Sequence, residues 1–184
     1  MNKKSKIFIA IFFSIILITA LIVGFINYSK EHKLNSKIED SISTRVLSIN
    51  NITSPINFND LLKIETSKEY TAKNNNLKYD NDASKKDFTI KYANTSFYGS
   101  RCVKEYIFVD EKLKMCIFDI DTSSWQPKNI YEELVKINGE PDASKIKPNK
   151  KGADRYTWYG KNGTLSLSDD NISNSIEVIF EISN

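Results

Sequence analysis

Residues 7–28 read IFIAIFFSIILITALIVGFINY, a run without charge in which fifteen positions are Ile, Leu, Phe or Val. As a helix this run would extend about 33 Å, against roughly 30 Å for the hydrocarbon core of a bilayer. It predicts a transmembrane helix. The apolar region of a cleaved signal peptide is shorter, about 7–15 residues, and ends in a small-x-small site. No such site stands around Ala20–Gly24 and no Cys follows for lipid attachment, so the sequence predicts an uncleaved anchor. Beyond it Leu34, Ile38, Ile42 and Val46 recur every four residues, with Ile49 three further on. That stripe predicts a helical stalk continuing the membrane helix until Asn50-Asn51 and Thr53-Ser54-Pro55 break it.

The pattern then changes. A short helix is expected at 59–64 with Asn59 as N-cap, and the polar stretches 73–76 and 80–87 read as loops. Phe88, Ile90 and Tyr92 alternate with polar residues as a strand does. Segments 102–109 and 113–120 flank Asp110-Glu111-Lys112 as a hairpin. Pro127 opens a helix whose Ile130, Leu134, Val135 and Ile137 share a face. Gly139 supplies the left-handed residue after it and Pro141 forbids continuation. Segments 155–160 and 164–168 flank Lys161-Asn162-Gly163, where Asn162-Gly163 predicts a tight turn setting Trp158 opposite Leu167 and Tyr159 opposite Ser166. A last strand, 175–182, carries Ile176, Val178, Phe180 and Ile182 on one face. Short turns between successive strands make them antiparallel. The expected fold class is α+β: a transmembrane helix and stalk, then an antiparallel sheet with helices packed on one face. The boundaries are a tip at 1–6, the membrane helix at 7–28, stalk and linker at 29–55 and an extracytoplasmic domain at 56–184, divisible into α-β repeats at 59–121 and 127–182.

Charge sets the orientation and removes several functions. Of the 26 Lys and Arg, Lys3, Lys4 and Lys6 precede the apolar run, leaving 23 after it against all 23 Asp and Glu. Lys30, Lys33 and Lys37 follow the run, a tie by count. The first three are denser and joined by the amino group, and a long following domain is translocated largely regardless of its charge, so the N-terminus is expected in the cytoplasm and the domain outside. A formally neutral domain lacks the basic face of a nucleic-acid binder. With one His, beside the membrane run, and two Cys, neither a Cys/His zinc site nor a Ser-His or Cys-His catalytic pair can be assembled. The abundance of Lys, Asn and Ile is the bias of an AT-rich, low-GC bacterial genome, and it accounts for the four Asn-x-Ser/Thr sequons by composition.

The stretch IYEELVKINGEPD at 130–142, followed by RYTWYG, TLSLSDD and SIEVIFEI, resembles the helix-plus-meander repeat of the β-lactamase-inhibitor-protein-like fold, shared by small assembly lipoproteins of bacterial outer membranes. An earlier half-match spans 59–121 with FYGSRCVKEYIFVDEKLKMCIFDI. The usual glycine-methionine opening of the helix and the lipobox are both absent. The resemblance implies a fold, and members of that shape are generally protein-binding modules or inhibitors.

Few residues offer chemistry. Cys102 and Cys116 are expected as free, buried thiols. A two-residue turn at 110–111 would put them on opposite faces, and a three-residue turn would put them about 13 Å apart on one face. A disulfide needs Cα atoms within about 7 Å. Glu132 and Glu133 point apart on their helix. Asp119 and Asp121 share a face at a strand end, near enough to ligate calcium or to work as an acid/base pair, although a solvated strand end has the same pattern. Asp169-Asp170-Asn171 fits a turn. Among Tyr98, Tyr106, Trp125, Tyr131, Tyr156, Trp158 and Tyr159, most are expected in the core. In the last hairpin Trp158 and Tyr156 face inward with Leu165 and Leu167. Tyr159 falls on the other face with Thr157, Ser166, Ser168 and Ile179, making Tyr159, Ile179, Thr157 and Ser166 the candidate partner-binding residues. No catalytic residue, metal ligand or cofactor is expected. The expected function is a single-pass, membrane-anchored binding module for a protein or envelope partner, with the bilayer itself contacted through 7–28. The alternatives are a carboxylate-dependent cell-envelope hydrolase and an inhibitor or immunity-type protein.

Overall fold

The computed structural model describes residues 3–65, 69–74, 87–121, 127–145, 154–170 and 175–183, and in the first helix it describes side chains from Thr19 onward. The chain divides into two compact units, Met1–Glu39 and Asp40–Asn184. The elements in order are α1 (Lys3–Thr44), α2 (Phe58–Ile64), β1 (Thr71–Asn74), β2 (Phe88–Phe97), β3 (Ser100–Val109), β4 (Lys112–Asp121), α3 (Pro127–Asn138), β5 (Ala143–Lys145), β6 (Asp154–Gly160), β7 (Gly163–Asp170) and β8 (Ser175–Ile182). Among the described side chains no helical stretch is long and apolar enough to cross a membrane. The side chains at 7–18, over half of the apolar run, lie outside that set.

The second unit is α+β. Its eight strands form one antiparallel sheet in the order β1-β2-β3-β4-β8-β7-β6-β5. A helix followed by a four-strand meander thus occurs twice, and the two meanders meet at β4 and β8. Alternation, strict in β3 and β8 and interrupted once at Lys114–Met115 in β4, buries Cys102, Tyr106, Phe108, Cys116, Phe118, Ile120, Val178 and Phe180 on one face. Both short helices close that face: Phe58 of α2 meets Phe108 edge-on at 6.2 Å, and Tyr131 of α3 lies 4.6 Å from Tyr156.

Several local expectations shift. The short helix begins one residue earlier and is capped by Asn57, whose side chain accepts the Asp60 N–H at 2.9 Å, in place of Asn59. Lys73 lies in β1 and not in a loop, and most of the two expected loops, residues 75–86, falls outside the described residues. Asp169 and Asp170 continue β7 instead of forming a turn, and Asn171 is outside the described residues. On α3 Ile130 and Leu134 are buried, but Ile137 is exposed and the buried place in the last turn goes to Asn138. The helical stalk ends at Thr44, not at Ile49. Ser43 and Thr44 turn their hydroxyls back onto the Asp40 carbonyl at 2.8 and 2.7 Å, a bond that competes with continuing the helix. Beyond Thr44 the chain becomes an extended strap in which Leu47 and Ile49 alternate into the core, joined by Ile52 across a turn with Asn50 and Asn51 at positive φ. Residues 40–55 therefore pack with the domain instead of linking it to a stalk.

The last hairpin pairs Gly160 with Gly163, Tyr159 with Thr164 and Trp158 with Leu165. The turn residues are Lys161 and Asn162, and the register differs from expectation by two residues. A shift of two leaves every side chain on its expected face. Gly163 is taken into the strand because β8 passes so close that a Cβ there would come within 2.0 Å of the Glu181 carbonyl oxygen. Gly139 meets the other requirement, with φ +76 and open space around it. Its N–H closes the helix onto the Val135 carbonyl at 2.7 Å. Gly139→Val is expected to destabilise the chain by about 1–2 kcal/mol through left-handed strain alone. Gly163→Ala is expected to exceed it, because backbone must move. Denaturant midpoints of the two variants check the order.

Candidate functional site

The face of the sheet opposite the helices carries the residues singled out from sequence. Thr157 pairs with Ser166, Ser166 with Ile179, Ile179 with Ile117, and Ile117 with Glu105, one row crossing five strands. Tyr159 stands one row away opposite Thr164. All are half-buried, so the four candidate residues are brought onto one surface. Neither α2 nor α3 packs there; both lie on the other face. The β6–β7 side of the surface is lined by the hydroxyls of Thr157, Thr164, Ser166 and Ser168. In the centre, cross-strand pairing of β4 with β8 sets Met115 beside Glu181, Ile117 beside Ile179 and Asp119 beside Glu177.

Asp119 and Asp121 lie on this same face, at one edge of an open depression of about 230 Å³ that Arg101 and Ser175 also line. Both carboxyls come from one strand, two residues apart, and so stand on one wall. Among the described residues no group of three His, Cys, Asp or Glu is placed to hold a metal ion. Glu132 is exposed, while Glu133 points to Lys136 at 4.0 Å. Of the aromatic residues, Tyr106 and Trp158 are fully buried, Tyr131 and Tyr156 pack against each other, and Trp125 lies outside the described residues. Tyr98 is half-buried, and burial, with Glu133 nearby, pushes its hydroxyl up to about 12.

Under the helices lies a polar centre that pattern reasoning missed. Glu65, the residue after α2, is buried with Lys104 of β3, whose ammonium donates to its two oxygens at 3.1 and 3.0 Å. Tyr106 donates its hydroxyl to the same carboxylate and Asn50 adds an N–H at 2.9 Å. Burial first, then the Glu65 charge, drives the Tyr106 hydroxyl well above its ordinary value, so it stays a donor. A Lys at an inward strand position is the one signal visible in the sequence.

Cys116 sits opposite Tyr106 and Cys102 opposite Ile120. The turn holds two residues, Asp110 and Glu111, yet a bulge, with Lys114 of β4 as the extra residue opposite the Ile107–Phe108 step, shifts the register by one. Both thiols therefore share the covered face four positions apart, and both are free. Burial raises Cys102 to about 11 and Cys116 further. Raised values mean protonated, unreactive thiols at neutral pH. An alkylating reagent should leave the folded chain unmodified and add two adducts once it is unfolded; mass analysis without reductant checks both states.

A second polar set fixes the strap. Asp142 accepts the Ser41 hydroxyl at 2.8 Å, the Arg45 guanidinium at 2.7 Å and the Tyr159 N–H at 2.8 Å. Asn162 bonds both the N–H and the carbonyl of Leu47 at 2.8 and 2.7 Å, and Asn138 does the same for Ser48 at 2.8 and 3.1 Å. Each amide imitates a neighbouring strand. Comparison of the chain with protein-family models, curated proteins and solved structures finds no match.

Proposed function

We propose that the chain is a single-pass membrane protein, anchored through 7–28, whose C-terminal domain lies outside the cytoplasm and binds a protein or envelope partner through the open face of its sheet without catalysis. The observation that carries this reading is the row Thr157–Ser166–Ile179–Ile117, a half-buried surface with an apolar middle and a hydroxyl flank that neither α2 nor α3 covers. Antiparallel sheets commonly leave one face to solvent, so position alone is ordinary; the contiguous isoleucines and Tyr159 are what favour binding. The repeated order of a helix and a meander accords with the resemblance to the β-lactamase-inhibitor-protein-like fold drawn from the motifs at 130–182. A glycan hydrolase would need two carboxyls facing across a cleft about 5–9.5 Å wide, and Asp119 and Asp121 share one strand.

The anchor rests on the uncharged 22-residue run behind three lysines, and the orientation on the density of that basic tip. Protease added to intact cells should remove the domain and leave a membrane-bound remnant; full protection reverses the orientation. A photoreactive residue at Ser166 should capture a partner in intact cells, while one at Glu132, exposed on α3, should not. Equal yields from the two positions would remove the open face from consideration.

A further inference from the structure

We infer that the open face receives a basic amphipathic segment of another protein. Its Lys or Arg side chains would lie over Asp119, Glu177 and Glu181, with apolar side chains packed on Ile117, Ile179 and Met115. The inference rests on the binding reading above and names the chemistry of its partner.

The two central strands meet the partner first. In β4 and β8 the outward side chains from Met115 to Asp119 and from Glu177 to Glu181 are three apolar residues and three carboxylates, with no base among them. Asp119 and Glu177 stand directly opposite each other, an arrangement of like charges that destabilises a sheet. Ion pairs among the described residues bring no cation to Asp119, Glu177 or Glu181. Three bases on the same face have partners elsewhere: Lys91 holds Glu105 at 2.6 Å, Arg101, on the rim of the depression that Asp119 lines, donates to the Asn94 side-chain oxygen at 3.2 Å, and Arg155 donates to the Ser168 hydroxyl at 3.1 Å.

Charge then selects the occupant. A neutral, apolar partner would bury three carboxylates without compensation. Anionic lipid, nucleic acid or an acidic protein surface would be repelled, and a second copy docked face to face would add its own carboxylates. A partner carrying cations relieves the Asp119–Glu177 repulsion while its apolar groups cover the isoleucines. Spacing adds a constraint, because Glu177 and Glu181 lie four residues apart on β8 with Ile179 midway. At strand rise that is about 13 Å, so cation, apolar and cation should follow one another at about 6–7 Å in the partner.

The test uses the full chain. Purified in detergent, it should bind the nine-residue peptide Lys-Ser-Ile-Ser-Lys-Ser-Ile-Ser-Lys, which as a strand sets lysine and isoleucine in turn along one face, more tightly than the same peptide with glutamate in place of lysine or serine in place of isoleucine. Added salt should weaken that binding. Asp119→Asn/Glu177→Gln/Glu181→Gln should reduce the affinity at least tenfold. Its thermal midpoint should stay at or above that of the parent, since repulsion is removed, which separates lost binding from lost folding. Equal binding of the three peptides, or binding untouched by neutralisation, overturns the inference. The same variant in intact cells, with the photoreactive residue at Ser166, separates the two levels of the argument. Capture that persists undiminished after neutralisation overturns the basic partner and leaves the binding face standing, as does capture only of a second copy. No capture by either chain overturns the binding face itself.

Discussion

Trp158→Ala is expected to destabilise the domain by about 3–5 kcal/mol, while Tyr159→Ala, one residue away, should change stability by less than about 1 kcal/mol. The indole is fully buried and its N–H donates to the Gly139 carbonyl at 2.7 Å. Its removal leaves a cavity beneath α3 and an orphaned carbonyl beyond the helix end. Tyr159 contributes to the fold through its backbone, whose N–H is bound by Asp142 at 2.8 Å, and that bond survives truncation of the ring. Denaturant unfolding followed by circular dichroism gives both values. A collapse of Tyr159→Ala with a silent Trp158→Ala would invert the two faces and put the proposed binding surface in the core. The pair also bears on function, because only Tyr159→Ala should weaken partner capture at unchanged stability.

Most of the sheet was legible because its signals are local. Alternation in β3 and β8 names the buried face directly, and Pro127 with Gly139 brackets α3. The face assignment of Tyr159 survived an incorrect turn because strand side chains repeat every two residues, so a two-residue slip changes partners and not sides. The hairpin at β3–β4 is the reverse case. Its turn length alone predicts the two cysteines on opposite faces, and the bulge at Ile107/Phe108 cancels that, a feature with no sequence signature of its own. β1 and β5, of four and three residues, fall below the length at which periodicity carries information.

The strap and its anchors were illegible for a different reason. The spacing from Leu34 to Ile49 continues a helical pattern, and what holds the chain extended beyond Thr44 lies about a hundred residues away. Asn138, Asp142 and Asn162 bind Ser41 to Ser48 across sequence separations of 90 to 115. Read locally, Asn138 ends a helix, Asp142 follows a proline and Asn162 precedes a glycine, and each has an ordinary explanation in a turn. Only the tertiary fold turns the three side chains onto one segment. The carboxylates of the open face were visible as residues, but their adjacency across β4 and β8 depends on the two meanders meeting there.

Lys104→Met is expected to destabilise the domain by about 3–5 kcal/mol, the consequence of leaving a buried carboxylate without its cation. The side chains of Lys104 and Glu65 are 5% and 1% exposed, so water cannot take the place of the lost ammonium. Asn50 and Tyr106 would remain as donors to Glu65, enough to satisfy hydrogen bonds but not to neutralise charge. Removing both charges should restore much of that loss, since a well-packed apolar pair avoids the desolvation that the ion pair must offset. The restoration will be incomplete in Glu65→Leu/Lys104→Met, because the Tyr106 hydroxyl then loses its acceptor in a dry site, costing about 1–3 kcal/mol. Adding Tyr106→Phe removes that orphan. The amide of Asn50 is half-buried and can turn to solvent. The order expected in denaturant unfolding is therefore parent and triple variant close together, the double variant below them, and Lys104→Met lowest. If Lys104→Met instead matches the double variant, the pairing of Lys104 with Glu65 adds nothing to holding the end of α2 on the sheet.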